Sequence, residues 1–510
     1  MHRLSRNGAG QEIAGLYERF SMDRAHAEHV AGLCGRIFAD LPHLHGLTKT
    51  CRGLVEAAAL LHDIDEAPKE HHDARGARRI RAIDLPWLPA HWKPIVATAV
   101  GLHSARSDVA GFLRRLKKEP TAELELAGRV AAILRLGDGL DHCRRQDTDI
   151  AAIIDDGRAV TIYLGPSPSA SENAAFAMGK ADLWNRIALR PVRAIAVAQG
   201  LAPNTAWLRP WQPIAVVLRE IIQRQLEQVT SREYGLGYEH DLEFVHEMRV
   251  AMRRMHSAIQ AFGKRLGGLK KPDRQVHRIG KLLGSVRDSD VLLEHLEGYA
   301  GGAPPSHQRV LSRVILQRRE LRRRQHAEVM AAMASAKWRN AKARLGRIVQ
   351  AQADERDVAL AGKSAGPPAR REARRSLLRQ LERVWGYGRS IEKLSPRRQH
   401  RLRIECKKLR YLAEFFEGFY GPWFGGLIRT ATRLQDLLGM AHDSSVYAQW
   451  LKDVAGPPAG KGGAAVERLM EHLRRRRREC LDKAGRIWRQ FRSRRSRNRL
   501  VRLIDSPRTA

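Results

Sequence analysis

The stretch AAALLHDID (57–65) sets His62 beside Asp63 at the end of an apolar run. An imidazole and a carboxylate so placed can ligate one divalent cation, with an adjacent ion bridged by the carboxylate. Further candidate ligands follow in order along the chain: His26 in HAEHV, the pair His71-His72, His103 in VGLHS, and Asp138 in ILRLGDGLDH. A lone histidine on an apolar face is usually a satisfied core residue, and an HD dipeptide arises often by chance. The ordered series on successive helices is what points to a metal site. His26 is favoured over His29 because its spacing to Val30, Ile37 and Phe38 fits one helix face.

A second constellation is cationic and occurs twice. HEMRVAMRRMHSAIQAF (246–262) aligns with HRLRIECKKLRYLAEFF (400–416). Met248, Met252, Met255, Ile259 and Phe262 repeat in steps of four and three, as do Leu402, Cys406, Leu409, Ala413 and Phe416. Each is the seam of a helix that buries one face. Beside it runs a basic stripe: His246, Arg249, Arg253 and His256 in one copy, His400, Arg403, Lys407 and Arg410 in the other. A related second segment follows each copy, LLGSVRDSDVLLEHL (282–296) and LLGMAHDSSVYAQWL (437–451). If the two stripes face each other they line a cleft. Like-charge repulsion across it is relieved by an anion, and guanidinium forks and imidazoles suit phosphate oxygens. A linear chain of phosphates could run along such a cleft. Asp288, Asp290, Asp436 and Asp443 are placed to orient the cations.

The elements that carry these groups read as mostly helical. Ala25–Leu41, Gly53–Asp63 and Thr121–Leu140 have helical periodicity. Ile150–Ile154 and Ala159–Leu164 flank Asp155-Asp156-Gly157, which predicts a small β-hairpin. GPSPSASEN (165–173) reads as a loop and Ala174–Gln199 as helix. A second, all-helical unit begins near Leu208, with breaks at 301–306, 364–369 and 456–464. Arg309–Arg356 reads as a helical hairpin or one long helix, and the Arg-rich C-terminal end as a basic helix or tail. Two domains are therefore expected, 1–205 and 206–510, the second an internally duplicated antiparallel bundle with pseudo-two-fold symmetry.

Charge divides along the same line. The formal net charge is +36; residues 1–205 hold 27 Lys/Arg against 24 Asp/Glu, and residues 206–510 hold 64 against 31. The second part thus carries +33 and attracts polyanions: nucleic acid, acidic membrane or phosphate chains. No run approaches the roughly 18 apolar residues of a membrane span. Five scattered cysteines without a CxxC pair exclude a disulfide framework and a zinc ribbon and point to a reducing, cytoplasmic compartment.

HxxRVxxRR, VRDxDVLL, HxLRxxxKxLRYxxEFF and LQDLLGxxxD, in that order over about 210–505, resemble the CHAD domain (conserved histidine α-helical domain). The resemblance implies a pseudo-symmetric helical bundle that binds inorganic polyphosphate in a basic central cavity, and association with polyphosphate granules. Carried over, its binding set is His246, Arg249, Arg253, Arg254, Arg287, His400, Arg403, Lys407, Lys408, Arg410 and Tyr411. His442 stands where the first copy has Arg287, and His256 where Arg is usual.

Residues 15–200 resemble HD phosphohydrolases and, more narrowly, the C-terminal domain of the exopolyphosphatase/guanosine pentaphosphatase family, through HAEHVAGLCGRIF, LVEAAALLHDID, VGLHS, VAAILRLGDGLDHCRRQ and KADLW. The two-lobed ATPase-like domains that carry that family's phosphatase site have no counterpart here, so its activity does not transfer. Arg75 stands where the family often has histidine, with His71 or His72 as the substitute. The implied ligand set is His26, His62, Asp63, His72, His103 and Asp138, with Mg or Mn as the metal. His62, Asp63 and Asp138 would be catalytic, and Lys69, Arg106 and Arg144 would hold substrate oxygens. An intact site would hydrolyse phosphate esters or anhydrides; a degenerate one would leave a helical scaffold. The alternative function is nucleic-acid binding through the basic half beside such a scaffold. The sequence shows no helix-turn-helix, RRM aromatics, zinc finger or KH loop to support that alternative.

Overall fold

Residues 9–65, 71–197, 210–302, 304–350, 367–421, 424–455 and 460–505 are described by the computed structural model. They are mostly helical and form two compact units. One takes Met1–Trp207 with Arg224–Ala251, the other Leu208–Gln223 with Met252–Ala510. Among the described residues no helix is long and apolar enough to cross a membrane.

The first unit holds α1 (Ala9–Phe20), α2 (Arg24–Asp40), α3 (Pro42–His45), α4 (Arg52–Leu60), α5 (His72–Ala82), α6 (Lys93–Val100), α7 (Val109–Lys118), α8 (Ala122–Gly139), α9 (Ala170–Gly179) and α10 (Asp182–Ile187). Helix α8 is its axis. Nearly every residue from Leu124 to Gly139 is buried, so it has no solvent face. Gly137 and Gly139 make that packing close. A Cβ on Gly137 would meet Cys34 Sγ of α2 at 2.3 Å, and one on Gly139 would meet the Ala177 backbone of α9 at 2.5 Å. Asp138 therefore sits between two helices pressed against its own.

The expected hairpin is present as β1 (Ile150–Asp155) and β2 (Val160–Leu164), paired antiparallel. Asp156 caps its turn by accepting from the Arg158 and Ala159 amides at 2.8 Å. The expected helix over 174–199 is corrected. Helix α9 starts earlier, at Ala170, α10 is short, and Val192–Ala196 is a third strand, β3, parallel to β2. Pro191 cannot continue a helix, and the alternating VRAIA that follows fits a half-buried strand.

The bundle comprises α11 (Ile214–Thr230), α12 (Glu243–Phe262), α13 (Lys270–Gly301), α14 (Pro305–Ala334), α15 (Ala336–Gln350), α16 (Ala369–Trp385), α17 (Pro396–Phe415), α18 (Glu417–Tyr420), α19 (Gly425–Ala455), α20 (Gly460–Phe491) and α21 (Arg494–Asp505). The boundary between the two units cuts α11 and α12. The duplication is larger than its two motif-bearing helices. Helices α11 to α14 begin at 214, 243, 270 and 305, and α16, α17, α19 and α20 at 369, 396, 425 and 460, offsets of 155, 153, 155 and 155. All ten seam positions, Met248 to Phe262 and Leu402 to Phe416, are buried. The charged stretch from Arg309 is two helices broken at Ser335, whose backbone is extended. Its last residues, 351–356, lie outside the described residues, as do 303, 364–366 and 456–459 of the predicted breaks; 305–306 open α14 and 460–464 belong to α20. The Arg474–Arg478 run lies within α20 with Lys483, Arg486 and Arg489, and the basic stretch continues as helix in α21.

Candidate functional site

In the first unit the predicted ligands converge. The Asp23 side chain caps α2 by accepting from the His26 amide, which fixes His26 in the first turn. His62 and Asp63 lie in the turn after α4, His72 opens α5, His103 follows α6, and Asp138 is late in α8. His26 Nε2 lies 3.2 Å from His62 Nε2 and 3.6 Å from Asp138 Oδ1. His72 Nε2 lies 3.2 Å from His103 Nε2. Asp63 joins the two groups: its Oδ2 is 3.4 Å from His62 Nε2 and its Oδ1 is 3.5 Å from His103 Nε2. The ligand atoms of His26, His62 and Asp138 lie within 4.8 Å of one another, and so do those of Asp63, His72 and His103.

The outer hydrogen bonds orient these rings. His62 Nδ1 donates to the Ala59 carbonyl at 2.7 Å, and His103 Nδ1 to the Val100 carbonyl at 2.6 Å. A carbonyl only accepts, so each Nδ1 carries a proton and leaves Nε2 as the ring nitrogen that faces inward, where it can ligate a cation. His26 Nδ1 is held by Asp141 Oδ2 at 2.8 Å. Metal-ligating histidines show this pattern. Burial lowers the His62 pKa. Burial also opposes charge on His26, but the Asp138 and Asp141 carboxylates outweigh it and push His26 up to about 9. Asp63 is buried yet held far below the usual carboxylate range by His62 and His103. Asp138 is likewise held low, by Lys180 and then His26.

Other predicted residues lie elsewhere. His29 meets the Thr148 carbonyl at 3.0 Å, His71 is exposed, and Arg75 binds Asp65. Arg106 is exposed and Lys69 lies outside the described residues. Arg144 does reach the centre, with Nη2 2.6 Å from Asp63 Oδ2. It and Gln146 take left-handed backbone conformations, with φ of 53° and 52°, in the loop that also presents Asp141. Three participants went unnoticed in the sequence: Asp141, Lys180 and Arg135. The first two lie inside the quoted GDGLDH and KADLW passages, but nothing about their type or spacing set them apart.

In the second unit, cations of the two repeats meet at one carboxylate. Arg254 of α12 lies 3.2 Å from Glu414 of α17, and Arg410 of α17 lies 3.5 Å from the same carboxylate. His256 meets Asp273 at 2.8 Å and packs on His277, ring centroids 4.5 Å apart. Burial lowers the His277 pKa, and the cations acting on it include Lys407 of the other repeat. His400 packs on His442 at 4.4 Å. Burial, His400 and Arg403 push His442 down to about 4. Burial, Arg403 and Lys407 lower His400 too. The Arg403 guanidinium lies over Gly439 of α19, where a Cβ would meet its Nε at 3.3 Å. His400 Nδ1 and Arg254 Nε are buried without a hydrogen-bond partner among the described residues.

Lys408 is exposed and pairs with Glu405 at 2.9 Å. Tyr411 is buried beneath the Arg410 guanidinium, 4.8 Å from its ring centroid. Arg253 and Arg287 are half-buried. His246 and Arg249 are half-buried on the part of α12 that belongs to the first unit. Asp290 accepts from Arg322 at 2.9 Å, and Asp288 acts on Arg318 and His442. Those two carboxylates thus serve cations outside the predicted stripe. Asp436 acts on Arg410 and Arg403.

Comparison with known proteins finds two family profiles along the chain. The HD domain profile matches residues 24–134 and the CHAD domain profile residues 220–452. The chain therefore joins an HD domain to a CHAD domain. Among solved structures it is similar to the CHAD domain from the plant Ricinus communis, with 20% identity, TM-score 0.42, and coverage of 59% of this chain and 94% of that one. It is also similar to PptA from Streptomyces chartreusis, with 17% identity, TM-score 0.40, and coverage of 54% and 99%. No curated protein sequence matches it.

Proposed function

We propose that this protein binds inorganic polyphosphate through the CHAD bundle and holds a divalent-metal centre for phosphoryl hydrolysis in the HD unit. The observation that carries the first part is the crowding of cations from both repeats. Arg254 and Arg410 share one carboxylate, and burial together with neighbouring positive charge lowers the pKa of His400 and His442. A buried donor without a partner, Arg254 Nε, is costly until an acceptor arrives, and the buried ring nitrogen His400 Nδ1 also lacks a partner among the described residues. A flexible polyanion supplies many acceptors and cancels the repulsion. Arg253, Arg287, Arg403 and Lys407 complete the contact set in the second unit, with Lys408 at its exposed edge. Tyr411 supports Arg410 from below. The test is calorimetric titration of the full chain with long-chain polyphosphate at physiological salt, with duplex DNA and RNA as competitors. Displacement of bound polyphosphate by either nucleic acid at equal charge would reverse the assignment.

For the HD unit the residues present fit a pair of divalent ions such as Mg²⁺ or Mn²⁺. His26, His62 and Asp138 would hold one, Asp63, His72 and His103 the other, with Asp63 between them. Such metals polarise a phosphoryl oxygen and lower the pKa of bound water. The chain's own part is to present inward ring nitrogens, fixed by Ala59, Val100 and Asp141, and to hold phosphate oxygens with Arg144. The juxtaposition of the two domains favours polyphosphate or a related anhydride as substrate. Phosphate release from polyphosphate and guanosine polyphosphates, with Mg²⁺ or Mn²⁺, tests it. The joint variant His62→Ala, Asp63→Ala should release none.

A further inference from the structure

The metal reading leaves one buried side chain unaccounted for. Lys180, the residue after α9, reaches into the centre, and its Nζ contacts Asp138 Oδ2. The ammonium is nearly buried. Its position is built rather than incidental. Gly139 lets α9 press against α8 at Ala177, one turn before Lys180. The fully buried Arg135 guanidinium then takes the Lys180 carbonyl at 3.1 Å. The same guanidinium also takes the Leu102 and Ser104 carbonyls on either side of His103, and the Asp182 carboxylate. One side chain thus ties the lysine backbone to the loop that carries a candidate ligand of the other metal set.

Each set pairs its aspartate with one cation, but the two cations differ in burial. Asp138 turns Oδ1 toward His26 and His62, at 3.6 and 3.8 Å, while Oδ2 is given to Lys180. In the other set Asp63 Oδ1 faces His103 while Arg144 holds Oδ2, but that guanidinium side chain is 35% exposed where the Lys180 side chain is 11%. An ion in the His26–His62–Asp138 set would share its carboxylate with a fixed ammonium a few ångströms away, in an environment that screens poorly.

Resting on the metal reading above, we propose that Lys180 is a resident counter-cation that makes His26–His62–Asp138 the weaker of two metal positions. The centre then loads in order, Asp63–His72–His103 first. Metal uptake at the second position is set against the lysine charge.

Mn²⁺ alone is the probe, titrated into the full chain and followed by calorimetry and by the electron-paramagnetic signal of the free ion. The wild type should bind in two unequal steps, His72→Ala removing the tighter and His62→Ala the weaker. Lys180→Met, which keeps length and loses charge, should tighten the weaker step by about tenfold or more and leave the tighter one unchanged. Lys180→Gln guards against a packing failure and should act in the same direction; Lys180→Arg should restore the wild-type gap. Wild-type binding in two steps that Lys180→Met and Lys180→Gln leave unchanged, or weaken, overturns the role of Lys180 alone. Absence of Mn²⁺ binding in the wild type and in both neutral variants overturns the metal reading, and this inference with it.

Discussion

Phe262 and Phe416 hold the same place in the two repeats, and they touch, ring centroids 5.7 Å apart with planes at 75°. Each ends the apolar seam of its helix, α12 or α17. Equivalent residues in contact mean that the second-unit parts of the two helices meet about the pseudo-two-fold. Beside that contact, Arg254 reaches across to Glu414 of the other repeat.

Glu414 is the acid shared by Arg254 and Arg410, and removing its charge should separate stability from binding. Glu414→Gln is expected to cost the ligand-free protein about 1–3 kcal/mol, as two guanidiniums lose their counter-charge. Polyphosphate affinity should rise, and saturating polyphosphate should recover most of the lost melting temperature. Thermal melts with and without ligand check both effects; reduced affinity would mean that Glu414 positions the arginines for the ligand.

Binding should take up protons. His442 is depressed to about 4 by burial, His400 and Arg403, against about 6.5 in an unfolded chain. A depressed histidine stabilises the fold fully above its unfolded pKa, and that contribution is lost as pH falls toward the folded pKa. Bound phosphates reverse the local field and raise the pKa of His442 and of His400. Affinity should therefore increase as pH drops from 8 to 5.5. Titrations in buffers of different ionisation enthalpy should show net proton uptake, and His442→Gln should flatten the dependence. Proton release on binding would contradict this account of the histidines.

Gly139 tests whether close helix packing positions the HD centre. Gly139→Ala places a Cβ 2.5 Å from the Ala177 backbone and should destabilise by about 1–3 kcal/mol, as overpacked cores do. Metal affinity should change along with stability, since α9 carries Lys180. Denaturant melts and Mn²⁺ titration of the same sample decide it. An Ala variant with wild-type stability would show that α8 and α9 yield there.

Much of this was legible in the sequence because it is periodic. The seam residues from Met248 to Phe262 and from Leu402 to Phe416 announce their helices, and each of them is buried. The ligand series His26, His62, Asp63, His72, His103, Asp138 could be written in order because each sits at a helix end or turn. Strand β3 was lost because five residues of VRAIA follow two helices without a turn signal of their own. The extent of the duplication was also missed. Helices α11 and α16 match in length and spacing, while IAVVLREIIQ and ARREARRSLL share almost no residues. Lys180 and Arg135 could not be singled out, since an isolated basic residue next to apolar helix reads as surface until a partner 42 or 47 residues away is known.

The most direct measurement asks whether the two basic stripes act on one ligand. Polyphosphate should be titrated into the full chain, wild type and two charge-reversed variants: Arg253→Glu with Arg254→Glu in the first repeat, and Arg403→Glu with Lys407→Glu in the second. Either pair alone should cost about 2–5 kcal/mol, roughly thirtyfold to several thousandfold in affinity. If one repeat can be reversed with affinity intact, the two stripes do not act on one ligand, and the account fails.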